Sequence, residues 1–219
     1  MDSPVNAADG RPLSAIEQLF WSWDQHRPNH FVLAAEIDGW FSLEQWRQAL
    51  DALQVRHPLL GARIVEEASG GARFVPEPEL RLPIQIATPG ELPWQVHAGR
   101  ELLQRFDTQT GPLCRLTLLE NDRRTIVLFS AHHAPLDGMG VSRLLNELMQ
   151  LLCGKGLPRK PTVQAPELVL EDERRLLPTP ALPSTQDVSY FRLPTDQPPH
   201  VETLTVEAEM TRDRKSTRL

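Results

Sequence analysis

Cysteine is scarce: Cys114 and Cys153 are the only two in 219 residues. They have neither the paired spacing of metal ligands nor a redox motif, and each reads as a small buried hydrophobe rather than a nucleophile. Long apolar runs are absent as well, so no segment has the length of a membrane span. Basic charge is not in excess: 23 Lys and Arg stand against 29 Asp and Glu, for a net charge of −6. That balance gives no global attraction to nucleic acid. The opening stretch "MDSPVNAADGRP" lacks the basic-then-apolar pattern of a signal peptide, which leaves the cytoplasm as the expected compartment. No internal repeat is present. Hydrophobic residues still make up 40% of the chain, enough for the core of one sizeable domain or two small ones.

Helical and strand patterns alternate along the first two thirds. "LSAIEQLFWSW" places Leu13, Ile16, Leu19, Phe20 and Trp23 on one helical face, with Ser14 as N-cap and Glu17 three residues on. "HFVLAAEID" reads as a strand. "SLEQWRQALDALQVRHP" returns to helical spacing through Leu43, Trp46, Leu50 and Leu53, capped by Ser42 and stopped near Pro58. "GARIV" and "ARFVPE" form a strand pair around Ser69–Gly71, and "PWQVHAGRELLQRF" is a helix opened by a proline. "LCRLTLLEN" and "TIVLFSAHH" are strands joined by a turn at "NDRR". The second is apolar on both alternation faces, the mark of a central strand. Val141, Leu144, Leu145, Leu148 and Leu152 then outline a final helix. Trp21, Trp23, Trp40, Trp46 and Trp94 read as core or helix-packing residues, and His57 as favouring a helix C-terminus.

These elements predict an α/β layered domain, a mixed sheet flanked by helices. Residues 1–12 are expected to be a flexible N-terminus and 13–157 the folded unit. Nine of the 20 prolines fall between Pro158 and Pro199, so 158–200 reads as an extended connector whose one short helical pattern, with "EDERR", is a solvated face. Residues 201–211 alternate like the first strand of a second, truncated unit. The basic stretch 212–219 reads as a non-native or disordered tail.

Chemistry concentrates in "FSAHHAPLDGMG", residues 129–140. Strand alternation sends His132 and His133 to opposite faces, and periodicity does not say which one works. Pro135 turns the chain. Asp137 sits at the start of the last helix, where its charge suits the helix dipole, and Gly138 and Gly140 permit close backbone approach. A neutral histidine at this point can take a proton from an attacking alcohol or amine. Ser130 and Ser142 are near but lie in no nucleophile elbow, which favours direct transfer over a covalent enzyme intermediate. A metal is not expected: the two histidines diverge, and His97 is the only other evident ligand.

"HHAPLDG", residues 132–138, resembles the HHxxxDG signature of the CoA-dependent acyltransferase superfamily, which includes condensation domains, wax ester synthases and chloramphenicol acetyltransferase. "RHPLLGARI" (56–64) and "FDTQTGPLCRLTLLE" (106–120) are similar to further condensation-domain stretches, so the likeness runs from about Leu13 to Leu152. The resemblance implies a chloramphenicol-acetyltransferase-like half, with the active site in a tunnel shared with a second half that this chain lacks. It implies His133 as general base, His132 as structural, Gly138 as the point of backbone approach, and Asp137 in an ion pair with Arg63 that holds the loop.

The expected function is transfer of an acyl group from a thioester to an alcohol or amine. The donor is coenzyme A or a carrier protein's phosphopantetheine, arriving as a substrate, with no bound cofactor; the missing C-terminal half and a carrier protein are the expected partners. Two alternatives remain open: a non-catalytic module that binds an acyl chain or carrier protein, and an epimerisation-type domain of a peptide synthetase.

Overall fold

A computed structural model describes residues 10–68, 70–87, 92–120 and 124–158. The expected connector, second-unit strand and tail (158–200, 201–211 and 212–219) lie outside the described residues, apart from Pro158.

In chain order the elements are β1 (Arg11–Pro12), α1 (Ala15–Asp24), β2 (His30–Asp38), α2 (Leu43–Arg56), β3 (Ala62–Glu66), β4 (Ala72–Pro76), β5 (Ile84–Ala87), α3 (Trp94–Leu103), β6 (Cys114–Glu120), β7 (Arg124–His132) and α4 (Gly138–Leu152). Both helix starts marked in the sequence carry reciprocal capping. Ser14 accepts from the Glu17 N–H while Glu17 accepts from the Ser14 N–H, and Ser42 and Gln45 repeat the arrangement on α2. Each such cap contributes about 1 kcal/mol. Pro58 does end α2, and a short 3-10 turn over Pro58–Gly61 then leads into β3.

Two sheets form. The smaller has the order β1-β4-β3, and the larger β2-β7-β6-β5. In the larger sheet β7 runs antiparallel to β2 and β6, while β5 pairs parallel with β6, so it is mixed. β7 is central, as its two apolar faces predicted. Val127, Phe129 and Ala131 on one face meet Trp46, Leu50 and Leu53 of α2 and Val141, Leu144 and Leu148 of α4. Leu128 on the other face packs with Ala98 of α3. Each fully buried leucine contributes roughly 1.5–3 kcal/mol, so the α2–sheet–α4 sandwich is the chief source of stability. Among the described residues no helix is long and apolar enough to cross a membrane.

Four expectations are corrected. The end of the supposedly flexible residues 1–12 is tied down, because Arg11 and Pro12 pair with Phe74 and Arg73 of β4. Gly10 makes this possible: at φ +68° it passes so close to Phe74 that a Cβ would lie 1.8 Å from the carbonyl oxygen. Trp23 and Trp40 are exposed rather than packed, whereas Trp21 and Trp46 are buried. Cys153 follows the last turn of α4 and is exposed. Finally, α1 is a helix with only part of its stripe turned inward, where Leu13 and Phe20 pack against the core. Ile16, Leu19 and Trp23 face away from the core while Glu17, Trp21 and Asp24 are buried. Polar partners decide this: Arg11 grips Glu17 through two bonds of 2.7 Å, and Asp24 has partners beneath the motif, described next.

Candidate active site

The motif lies where β7 ends and turns into α4. β2 and β6 flank this end of the strand, with His30 opposite His132 and Arg115 opposite Ser130. The two histidines diverge, as alternation requires. His132 is wholly buried, and its Nδ1 accepts the Ala134 N–H at 3.0 Å. An accepting Nδ1 carries no proton, so the ring is neutral with its hydrogen on Nε2. That nitrogen faces Asp24 Oδ1 at 3.6 Å, a charge–dipole contact rather than a full hydrogen bond.

His133 sits on the opposite side. Its ring packs between Phe20 of α1 and Phe31 of β2, with centroids 4.7 and 4.9 Å away. Nδ1 is enclosed without a partner, which leaves Nε2 as the nitrogen open to an incoming group. The backbone is pinned, since the His133 N–H donates to the Asn29 carbonyl at 2.9 Å.

Asp137 caps α4, accepting the Gly140 N–H at 2.6 Å. A Cβ on Gly140 would lie 3.1 Å from the same carboxylate oxygen, so this glycine keeps the cap compact. A Cβ on Gly138 would meet nothing within 4 Å; the space beside it is open. The expected ion pair between Asp137 and Arg63 does not form. Arg63 on β3 instead donates from Nε to Glu77, which follows the paired strand β4. The Gly140 N–H engages the Asp137 carboxylate locally, and Glu77 does the same for Arg63. Neither charge is drawn across to the other.

The strand behind the motif carries a polar band that sequence reasoning missed. On the α3 side of the sheet, Glu101 accepts from Arg115 Nε and Thr117 Oγ1, both at 2.6 Å, and from Ser130 Oγ at 3.0 Å. Burial opposes ionisation of Glu101, but the bonds from Thr117, Arg115 and Ser130 outweigh it and hold the carboxyl below its ordinary range. His30 reaches the Glu101 carbonyl at 3.2 Å. Burial keeps its imidazole below the usual histidine range, with the Arg115 charge adding to the effect. Arg115 and Thr117 on β6, and Ser130 and His132 on β7, recur with a period of two in otherwise apolar strands. That alternation was the available signal.

Ser130 is thus engaged with Glu101, and Ser142 is an exposed residue of α4. Burial pushes the Cys114 thiol up to about 12, far from a thiolate nucleophile. His97 lies on α3, and among the described residues no group of three or more His, Cys, Asp or Glu is placed to hold a metal ion.

A family model described as "Condensation domain" matches residues 9–167. Malpinin synthetase of Mortierella alpina is 27% identical over 221 residues, which covers 90% of this chain and 3% of that protein. Nonribosomal peptide synthetase 8 of Aspergillus fumigatus is 27% identical over 200 residues, covering 83% of this chain and 2% of the relative. Among solved structures, the first condensation domain of the calcium-dependent antibiotic synthetase superimposes with a TM-score of 0.63 at 16% identity, covering 78% of this chain and 46% of that one. Polyketide synthase associated protein 5 from Mycobacterium tuberculosis gives 0.57 at 21% identity, covering 76% and 40%. These likenesses establish the chloramphenicol-acetyltransferase-like fold. The chain spans a few per cent of the curated relatives' length and less than half of the structural neighbours.

Proposed function

The chain belongs to the condensation-domain family, and on that premise we propose that it is the N-terminal half of a cytoplasmic acyltransferase acting on thioesters. The observation that carries the reading is His133: a ring wedged between two aromatics, its backbone pinned, and one nitrogen open. An acceptor amine or alcohol placed there gives its proton to Nε2 as its heteroatom attacks the thioester carbonyl. The new C–N or C–O bond forms, the C–S bond breaks, and Nε2 returns the proton to the departing sulfur, so that a thiol leaves and the base is restored. Resemblance to nonribosomal peptide synthetases favours an amine acceptor and a donor on a carrier protein's phosphopantetheine, with coenzyme A as the other thioester of the same chemistry. Gly138, beside open space, offers the place where the reacting carbonyl lies against backbone. His132 supports the turn from beneath, and Asp137 keeps α4 aimed at the site by capping it. A C-terminal half closes the tunnel.

The test is His133→Ala in a chain extended through that second half, assayed with an acylated carrier protein or acyl-coenzyme A and an amine. Turnover is expected to fall by roughly 10²–10⁴-fold with the fold intact. An unchanged rate overturns the base assignment, and thioester binding without turnover in the unsubstituted enzyme replaces catalysis with a binding role.

A further inference from the structure

Asp24 reaches towards both histidines. It is only 4% exposed, and it stands at the last turn of α1, on which Ile16, Leu19 and Trp23 are exposed instead. Its Oδ1 faces His132 Nε2 at 3.6 Å and accepts the Asn29 N–H at 2.7 Å. The Asn29 carbonyl in turn holds the His133 N–H, and the Asn29 side-chain amide donates to the Phe20 carbonyl at 3.0 Å. Phe20 is one of the two rings against His133. One carboxylate therefore reaches the first histidine through its side chain and the second through a single intervening residue. Arg105 covers the outer side, with Nη2 3.5 Å from Oδ2.

We propose that Asp24 is the positioning residue of the site, a reading that rests on the transfer function above. Its anion lies opposite the Nε2–H that the Ala134 N–H imposes on His132. Through Asn29 it fixes the backbone from which His133 projects. Burial works against the charge, but contacts with His132, the Asn29 N–H and Arg105 outweigh it and keep the carboxyl below its ordinary range. A general base gains from this because small displacements of a catalytic ring cost rate steeply.

Amide hydrogen exchange on the chain itself, and kinetics on the chain extended through its second half, test the idea. In Asp24→Ala the His133 amide should lose protection while Leu128 and Phe129, deeper in β7, keep theirs. Turnover should fall by about tenfold to hundredfold with KM nearly unchanged. Asp24→Asn keeps an acceptor for the Asn29 N–H without the charge, and an intermediate loss of about threefold is expected. A folded Asp24→Ala protein with normal His133 protection and normal turnover overturns the proposal. Should that variant not fold, an Asp24→Asn enzyme with unchanged turnover overturns it instead. The two hypotheses fail separately: His133→Ala kinetics judge the transfer reading, and amide protection judges the grip of Asp24.

Discussion

The two faces of the four-stranded sheet are built on opposite principles. Towards α2 and α4, β6 and β7 present Leu116, Leu118, Val127, Phe129 and Ala131, and the helices answer with leucine, valine and tryptophan. Towards α3, the same strands present Arg115, Thr117, Ser130 and His132, the first three of which converge on the Glu101 carboxylate. The first face supplies stability through area removed from water, which is insensitive to orientation. The second supplies direction, because each polar group is satisfied only in one geometry. The motif stands where the two meet, with His133 against aromatic rings and His132 over the polar band.

Glu101→Gln is expected to have the largest effect. It leaves Arg115, whose side chain is 8% exposed, without its anion, and breaking such a pair costs about 3–5 kcal/mol. Chemical denaturation at pH 7 measures this. The pH dependence has a definite sign. Folding lowers the Glu101 pKa, so its contribution is complete above the unfolded value of 4.5 and is lost as pH falls through it towards the folded one. The stability of the variant should therefore fall less steeply than wild type below that pH; parallel curves would show that folding does not lower the Glu101 pKa.

Leu148→Ala, on the apolar face, comes next at about 2–5 kcal/mol, since a fully buried leucine leaves a cavity. Its loss should be independent of pH over the range in which Glu101 titrates, which sharpens the contrast between the faces. The smallest effect belongs to Leu19→Gln on α1, within about 0.5 kcal/mol in thermal or urea melts. Leu19 is 54% exposed. A large loss there would mean that the outward stripe packs against something in the isolated chain.

The contrast also explains what could be read beforehand. α4 was legible in full: Val141, Leu144, Leu145, Leu148 and Leu152 recur at helical spacing and all are buried. α1 was legible as a helix, down to the Ser14–Glu17 cap, but not in orientation. Periodicity identifies the apolar side of a helix and assumes that it faces in, whereas the polar partners of Glu17 and Asp24 decide the matter here. The divergence of His132 and His133 followed from alternation alone. The Asp137–Arg63 pair was expected from resemblance, and it lost to nearer partners for each charge. β5 was missed because Ile84–Ala87 is a four-residue strand, too short for alternation to stand out.

By itself the sequence determined the helices, the longer strands, the central one among them, and the family, because these depend on local spacing, on capping between residues three apart and on a motif of fixed length. Only the tertiary structure decided which side of α1 is buried, where Asp137 and Arg63 find their partners, and that Asp24 lies under both histidines. Those are choices among competing polar partners, some near along the chain and some far, and each is settled by which one the packed backbone brings within hydrogen-bonding distance.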